Sequence, residues 1–192
     1  MYTGFPYLKE PGRYILFALL FESSILSTMK KVGKSFAGKS FAEKFFPEKP
    51  FAEKVFSLGE VDDIAAEILP LIKDARIVTF SGPLGAGKTT LIRALAKQLG
   101  IKNQVKSPTF AYLATYQLPD GKSVYHFDLY RLKSLEGIYD SGFDEYFYLP
   151  QSKVFIEWPE IVKPILPSET LDIALDYIED DHKKRKISIN SA

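Results

Sequence analysis

The sequence predicts an α/β fold: a P-loop NTPase-like mixed β-sheet flanked by helices, preceded by a poorly ordered N-terminal extension. Three observations carry this. Residues 82–89, Gly82-Pro83-Leu84-Gly85-Ala86-Gly87-Lys88-Thr89, fit the pattern G-x-x-x-x-G-K-[ST] at every fixed position. The run Ile77-Val78-Thr79-Phe80 before it is β-branched and aromatic, and residues 91–99 after it have helical spacing. That is the strand–loop–helix setting a phosphate-cradling loop needs. Beyond it, apolar strands and turn signals alternate in a way that mixes parallel and hairpin connections.

The first 54 residues read as a low-complexity extension. Phenylalanine recurs at 36, 41, 46, 51 and 56 and lysine at 34, 39, 44, 49 and 54, a repeat built on Phe-Ala-Glu-Lys. A period of five advances about 500° around a helix, so successive rings fall roughly 140° apart; in a strand an odd period sends them to alternate faces. Neither element buries the set as one stripe, so residues 1–54 are expected to be poorly ordered or adventitiously helical. Residues 30–54 hold seven Lys and three Glu, a net +4 that reads as a solvated insertion or as an attraction to an acidic partner. Met29 is the one internal methionine, which leaves open whether residues 1–28 belong to the natural product.

From Val55 the chain reads as one domain, residues 55–192. Ile64, Ile68, Leu71 and Ile72 share a helical face, with Asp62 and Asp63 at the favourable N-terminal end. The strand at 77–81 leads into the loop, and Leu91, Leu95 and Leu99 line a helix that Gly100 can end. Residues 110–116 and 123–128 read as strands joined through the turn Leu118-Pro119-Asp120-Gly121. Residues 134–149 suggest a short helix and an acidic, aromatic loop, and 153–157 a buried strand. Leu171, Ile173, Leu175 and Tyr177 alternate with Asp172, Ala174 and Asp176 in a half-exposed strand; a turn at 179–184 precedes a last strand near 186–189.

Composition narrows the chemistry. A content of 46% hydrophobic and 26% charged residues is ordinary for a globular protein, and net charge +1 gives no general electrostatic drive toward nucleic acid. Zero cysteines remove disulfides, thiol catalysis and zinc–thiolate sites, and suit a reducing compartment. Two histidines, His126 and His182, are too few for a histidine-rich metal site. The longest apolar run, residues 14–21, falls far short of the roughly 20 residues that span a bilayer. Glu10 spoils the basic flank of a secretion signal, and no small-x-small site follows closely. The expectation is a cytoplasmic protein with no membrane association.

The chemistry of the loop follows from its residue types. Gly82, Gly85 and Gly87 let the backbone turn its N–H groups toward phosphate oxygens, with Leu84, Ala86 and Thr90 completing the nucleotide-binding stretch. A helix starting near Lys88 adds unpaired N–H groups and a positive dipole end. Lys88 is placed to reach the β- and γ-phosphates, and the Thr89 hydroxyl to take one position on Mg²⁺. The alternative is a plain glycine-rich turn, which has no need of Lys-Thr at that offset. Asp128 and Glu157 each follow an apolar run, where a strand emerges at the edge of a sheet. An acid there serves the metal and its waters, or caps a helix, or pairs with Arg131. His126 lies on an apolar strand and reads as a satisfied core histidine rather than a base.

Four motifs now stand in order: Gly85-Ala86-Gly87-Lys88-Thr89-Thr90, Ser107-Pro108-Thr109-Phe110, His126-Phe127-Asp128-Leu129-Tyr130-Arg131 and Ile156-Glu157-Trp158. Together they resemble the TsaE (YjeE) family, the small ATPases of bacterial tRNA threonylcarbamoyladenosine formation, over about residues 55–192. The resemblance implies Thr89 and Glu157 as Mg²⁺ ligands and Asp128 as the second acid needed for ATP hydrolysis. It implies that Ser107-Pro108-Thr109 is a switch-type loop, with Thr109 its polar contact to the γ-phosphate. Trp158 is implied beside the nucleotide, its alternative being a core-packing indole; Arg185 is a nucleotide contact or a solvated charge. The implied partners are the TsaD and TsaB proteins, whose assembly ATP hydrolysis resets, with tRNA reached through that assembly. Two departures stand out. Pro83 replaces the acidic or amide residue common there, and the N-terminal extension is unusual; neither is expected to touch the phosphate-binding residues.

Five arginines are present, Arg13, Arg76, Arg93, Arg131 and Arg185, none in an obvious mobile lid. An arginine finger is worth about 10³–10⁵ in rate, so slow hydrolysis by the isolated chain and activation by a partner are expected. Arg131 reads as a structural ion pair, or as a finger acting in cis. A small-molecule kinase is the rival. Such enzymes close an arginine-containing lid, yet residues 134–149 carry Glu136, Asp140, Asp144 and Glu145 and no arginine. A GTPase lacks support, since the asparagines are Asn103 and Asn190 and no Asn-Lys-x-Asp occurs. A nucleotide-gated interaction module with negligible hydrolysis is the third reading.

Overall fold

The structure, a computed structural model, describes residues 53–191. Within them run the strands β1 (Glu53–Ser57), β2 (Ile77–Ser81), β3 (Leu113–Gln117), β4 (Ser123–Asp128), β5 (Lys153–Glu157), β6 (Leu171–Ile178) and β7 (Asp181–Ser191). The α-helices are α1 (Val61–Asp74), α2 (Lys88–Gln98) and the short α3 (Glu136–Asp140). All the strands join one sheet in the order β1-β7-β6-β2-β5-β4-β3. β2 is parallel to β5 and β6, and β5 to β4, while β3, β7 and β1 pair antiparallel to their neighbours. The sheet is therefore mixed, as the sequence predicts.

Period-two alternation sorts the side chains into two cores. Val78, Phe80, Phe155, Ile173 and Leu175 turn to the face covered by α1 and α2. Ile77, Val154, Ile156 and Phe127 turn to the other face, where Ile138 of α3, Phe147 and Val162 cover them. Both long helices form for local reasons. In α1, Ile64, Ile68 and Ile72 are buried on one stripe, Asp62 and Asp63 lie in the first turn, and Pro70 sits on the exposed side. Water there can satisfy the carbonyl that its missing N–H leaves free. Just before α1, Ser57 and Glu60 close a capping box: the Ser57 N–H and hydroxyl donate to the Glu60 carboxylate at 2.8 and 2.7 Å. In α2, Leu91 and Leu95 are buried as expected.

Four local differences from the sequence reading have physical causes. The strand expected at 110–116 begins at Leu113, because the Ala111 and Tyr112 N–H groups donate to the Pro108 carbonyl at 2.9 and 2.7 Å and Tyr112 takes φ 61°. The last strand runs from Asp181, well before 186, since it pairs with both β6 and β1. Tyr177, read as part of the apolar alternation, is 40% exposed and donates its hydroxyl to the Leu84 carbonyl at 2.5 Å. β1 was not expected; its pairing of Glu53 with Ser188 carries the sheet two residues ahead of Val55. Phe56, the last ring of the five-residue repeat, is buried in β1, whereas residues 14–21, Met29 and the repeat rings 36–51 lie outside the described residues. Among the described residues no helix is long and apolar enough to cross a membrane.

Candidate functional site

The loop of residues 82–87 leaves the C-terminal end of β2, in the crevice where open α/β sheets hold ligands. Its geometry is set by close approach. A Cβ on Gly82, at φ 127°, would land on the Leu175 carbonyl oxygen of β6, so glycine alone lets the chain turn there. Gly87, at φ 105°, has open space where a Cβ would stand, and the Leu91 N–H donates to its carbonyl at 2.9 Å to start α2. Ala86 faces the core and is 1% exposed, while Leu84 is 68% exposed at the rim.

Lys88 turns back over the loop. Its ammonium donates to the carbonyl oxygens of Gly82 and Pro83 at 2.7 and 2.9 Å and lies 3.7 Å from the centroid of the Trp158 ring. Pro83 was not expected to touch a phosphate-binding residue; its carbonyl does so through the main chain, whatever the side chain. Burial pushes Lys88 below its ordinary pKa, while the carboxylates of Glu157, Glu160 and Asp128 pull the other way. Trp158 adopts φ 60°, ψ 59° directly after β5 and packs its ring 4.8 Å from that of Tyr130. Its indole thus lines the site while also packing against the core of the second face.

Two strand ends deliver the acids. β4 and β5 pair in parallel with Asp128 opposite Glu157, so both carboxylates, each about 3% exposed or less, reach the same end of the sheet. The Thr89 hydroxyl lies 2.9 Å from both Glu157 oxygens. Asp128 Oδ2 accepts from the Ser107 hydroxyl and, at 2.5 Å, from that of Thr109; its Oδ1 accepts from the Tyr130 N–H at 3.2 Å. The loop Ser107-Pro108-Thr109 is thereby clamped to the end of β4. Lys88, Thr89, Thr90, Gly85, Thr109 and Asp128, with Glu157 and Trp158, all line one cavity of about 290 Å³.

His126 differs from the satisfied core histidine expected. It is fully buried, but its Nε2 lies 2.9 Å from Glu157 Oε1 and its Nδ1 is buried without a partner. Since an ionised carboxylate only accepts, Nε2 carries the shared proton and holds Glu157 toward Thr89. Arg131 also departs from expectation. It makes no ion pair among the described residues; its guanidinium lies 4.2 Å from the centroid of the exposed Phe110 ring.

Arg185 lies away from the phosphate loop's polar cluster. β1 pairs it with Phe56 across the sheet edge, and its guanidinium sits 4.4 Å from the Tyr177 ring centroid, with Nη1 on the His182 and Lys184 carbonyls at 2.7 Å each. It lines a second cavity of about 490 Å³ with Phe56, Leu58 and His182, which shares Gly85, Gly87 and Thr90 with the first. Sequence reading missed Phe56, Leu58 and His182, because only the pairing of β1 with β7 brings them to the loop. Residues 134–149 form no lid: Ile138 and Phe147 are buried under the opposite face of the sheet.

Comparison with known proteins agrees with this architecture. A family profile described as "Threonylcarbamoyl adenosine biosynthesis protein TsaE" matches residues 56–187. A tRNA threonylcarbamoyladenosine biosynthesis protein TsaE from Rickettsia bellii is 38% identical over 125 residues, covering 65% of this chain and 85% of the relative. Proteins of the same description from Haemophilus influenzae and Bacillus subtilis are 41% and 36% identical, covering 60% and 65% of this chain and 73% and 77% of their own lengths. A crystal structure of Bacillus subtilis YdiB superposes with a TM-score of 0.56 at 30% identity, covering 72% of this chain and 84% of that one.

Proposed function

Because the chain belongs to the TsaE family, with a role in tRNA threonylcarbamoyladenosine biosynthesis, we propose that it is a Mg²⁺-dependent ATPase that acts on the TsaD–TsaB assembly. The observation that carries this reading is the convergence of Lys88, Thr89, Asp128 and Glu157 on one cavity at the strand ends. The triphosphate lies over the loop amides, and the Lys88 ammonium exchanges the Gly82 and Pro83 carbonyls for phosphate oxygens. The nucleoside lies in the adjoining cavity, between Phe56 and Leu58 on one side and Arg185 on the other.

The donor set fits a magnesium ion. Thr89 and Glu157 present a hydroxyl and a carboxylate side by side at an open cavity, and Mg²⁺ takes oxygen ligands while keeping waters and substrate phosphates. No cluster of three or more His, Cys, Asp or Glu suited to a metal occurs among the described residues, which suits an ion completed by phosphates rather than caged by protein. Bound there, the ion supplies charge neutralisation at the β- and γ-phosphate oxygens. His126 orients Glu157, and Asp128 fixes Thr109 at the edge of the γ-phosphate position.

Arg131 rests on Phe110, and among the described residues no arginine lines the cavity beside Lys88. Hydrolysis by the chain alone is accordingly slow, and the TsaD–TsaB assembly supplies the acceleration. In this reading tRNA is modified by that assembly, in the cytoplasm, and the residues ahead of β1 are an appendage to an ATPase domain whose sheet begins at Glu53. The test is ATP turnover measured with and without TsaD–TsaB. Stimulation by the assembly, with loss of tRNA modification in Lys88→Ala, supports the reading. An unstimulated rate together with normal modification by that variant overturns it.

A further inference from the structure

At the end of the sheet opposite the phosphate loop, a separate cavity of about 590 Å³ opens where the central strands β2 and β5 begin. That volume lies in the range of about 300–1,000 Å³ typical of small-molecule sites. Leu99, Leu118 and Pro119 give it an apolar wall. Gln151 and Ser152 add neutral polar groups, and the charged lining sets Lys73, Arg76, Lys122 and Lys153 against Asp74 and Asp120, four cations less two anions, or net +2.

Two of these cations are already engaged. Lys122 is paired with Asp120 at 3.0 Å, and Lys153 donates to the Ile72 carbonyl at 2.5 Å and to that of Ala75. Lys73 makes no ion pair among the described residues. Arg76 is different again, because its Nη1 is buried with no hydrogen-bond partner. The residue as a whole is only half-buried, and its guanidinium fork matches the oxygens of a phosphoryl group.

We infer that this cavity binds a small phosphate monoester, its phosphoryl group on Arg76 and Lys73 and its apolar part against Leu118 and Pro119. A dianion matches the net +2 of the lining. A single carboxylate, or one phosphodiester of a nucleic-acid backbone, leaves one positive charge uncompensated. The apolar wall and the concavity favour a small organic molecule over an extended strand.

The test is a titration of the full chain with phenyl phosphate, followed through the Arg76 Nε–Hε resonance in ¹⁵N NMR. That resonance reports the distal cavity itself, so the result is independent of whether the phosphate loop binds ATP. The expected result is a saturable shift, with affinity lowered roughly tenfold in Arg76→Gln, as the loss of hydrogen bonds to a charged group implies. Should Arg76→Gln fail to fold, the exposed substitution Lys73→Gln decides, with a several-fold loss expected. ATP turnover stays unchanged in both variants. No shift of Arg76 at tens of millimolar phenyl phosphate, an equal response to benzoate, or unchanged affinity in Lys73→Gln overturns the inference. So does a response to a short RNA with none to phenyl phosphate.

Discussion

Lys88 stands where opposing electrostatic effects meet. Burial disfavours its charge, three nearby carboxylates favour it, and two main-chain carbonyls and an indole face hold it in place. A polyphosphate beside it adds negative charge and draws its depressed pKa back up. Nucleotide binding therefore takes up protons at alkaline pH, and affinity falls as pH rises through the range in which Lys88 titrates. Calorimetry in buffers of different ionisation enthalpy reads that uptake; net proton release would contradict it. Asp128 has another task, because its oxygens hold Ser107, Thr109 and the Tyr130 amide rather than Thr89. Hydrogen bonds to charged groups are worth about 1.5–3 kcal/mol. Asp128→Asn should then lower ATP turnover by about 10- to 100-fold while nucleotide affinity changes little. Equal losses in both would place Asp128 in binding instead. The placement of Lys88 after the glycines was legible from residue types and spacing, whereas the hold of Asp128 on Ser107 and Thr109 and the contact of His126 with Glu157 were not. An apolar strand around a histidine says only that it is buried, and the partner comes from the neighbouring strand.

The elements explain why the loop can exist at all. β2 and β6 run side by side, and Gly82 passes so close to Leu175 that a single added methyl meets its carbonyl. Gly82→Ala should cost about 2 kcal/mol or more, since it strains a left-handed residue and pushes two strands apart; an unchanged urea midpoint would refute this. At the other end of the sheet, Lys153 sits where α1 meets β5, and burial pushes its ammonium from the ordinary 10.5 to about 8. Between those values the unfolded chain binds the extra proton, so the stability of the native protein relative to Lys153→Met rises from about pH 8 toward 10.5. The rise is at most about 3 kcal/mol, and a flat difference across that interval would exclude it. At this scale the strands that precede catalytic-type acids were readable, because an apolar run ending in a carboxylate is a pattern of its own. Residues 110–112 were not, since their apolar and aromatic types suit a strand while the Pro108 carbonyl captures their amides into a turn.

Across the whole molecule, one sheet edge completes the site that the central strands begin. Phe56 belongs to the core, pairs opposite Arg185 and lines the cavity adjoining the loop, so under the proposed function it should couple stability to nucleotide binding. Phe56→Ala should destabilise the protein by about 3–5 kcal/mol and weaken ATP binding as well. Denaturant unfolding and equilibrium titration check the two effects, and loss of stability with unchanged affinity would separate Phe56 from the nucleoside. That edge was hidden in the sequence because the five-residue repeat runs into it. Its period fits no regular element, and only the long β7 strand recruits the last ring.

A crystal structure with Mg²⁺ and a non-hydrolysable ATP analogue would show whether the phosphate loop grips a triphosphate. The expected density has the polyphosphate over residues 85–89, the Lys88 ammonium moved from the Gly82 and Pro83 carbonyls onto phosphate oxygens, and the metal between Thr89 and Glu157. A triphosphate bound elsewhere, with Lys88 still on those carbonyls, would contradict it.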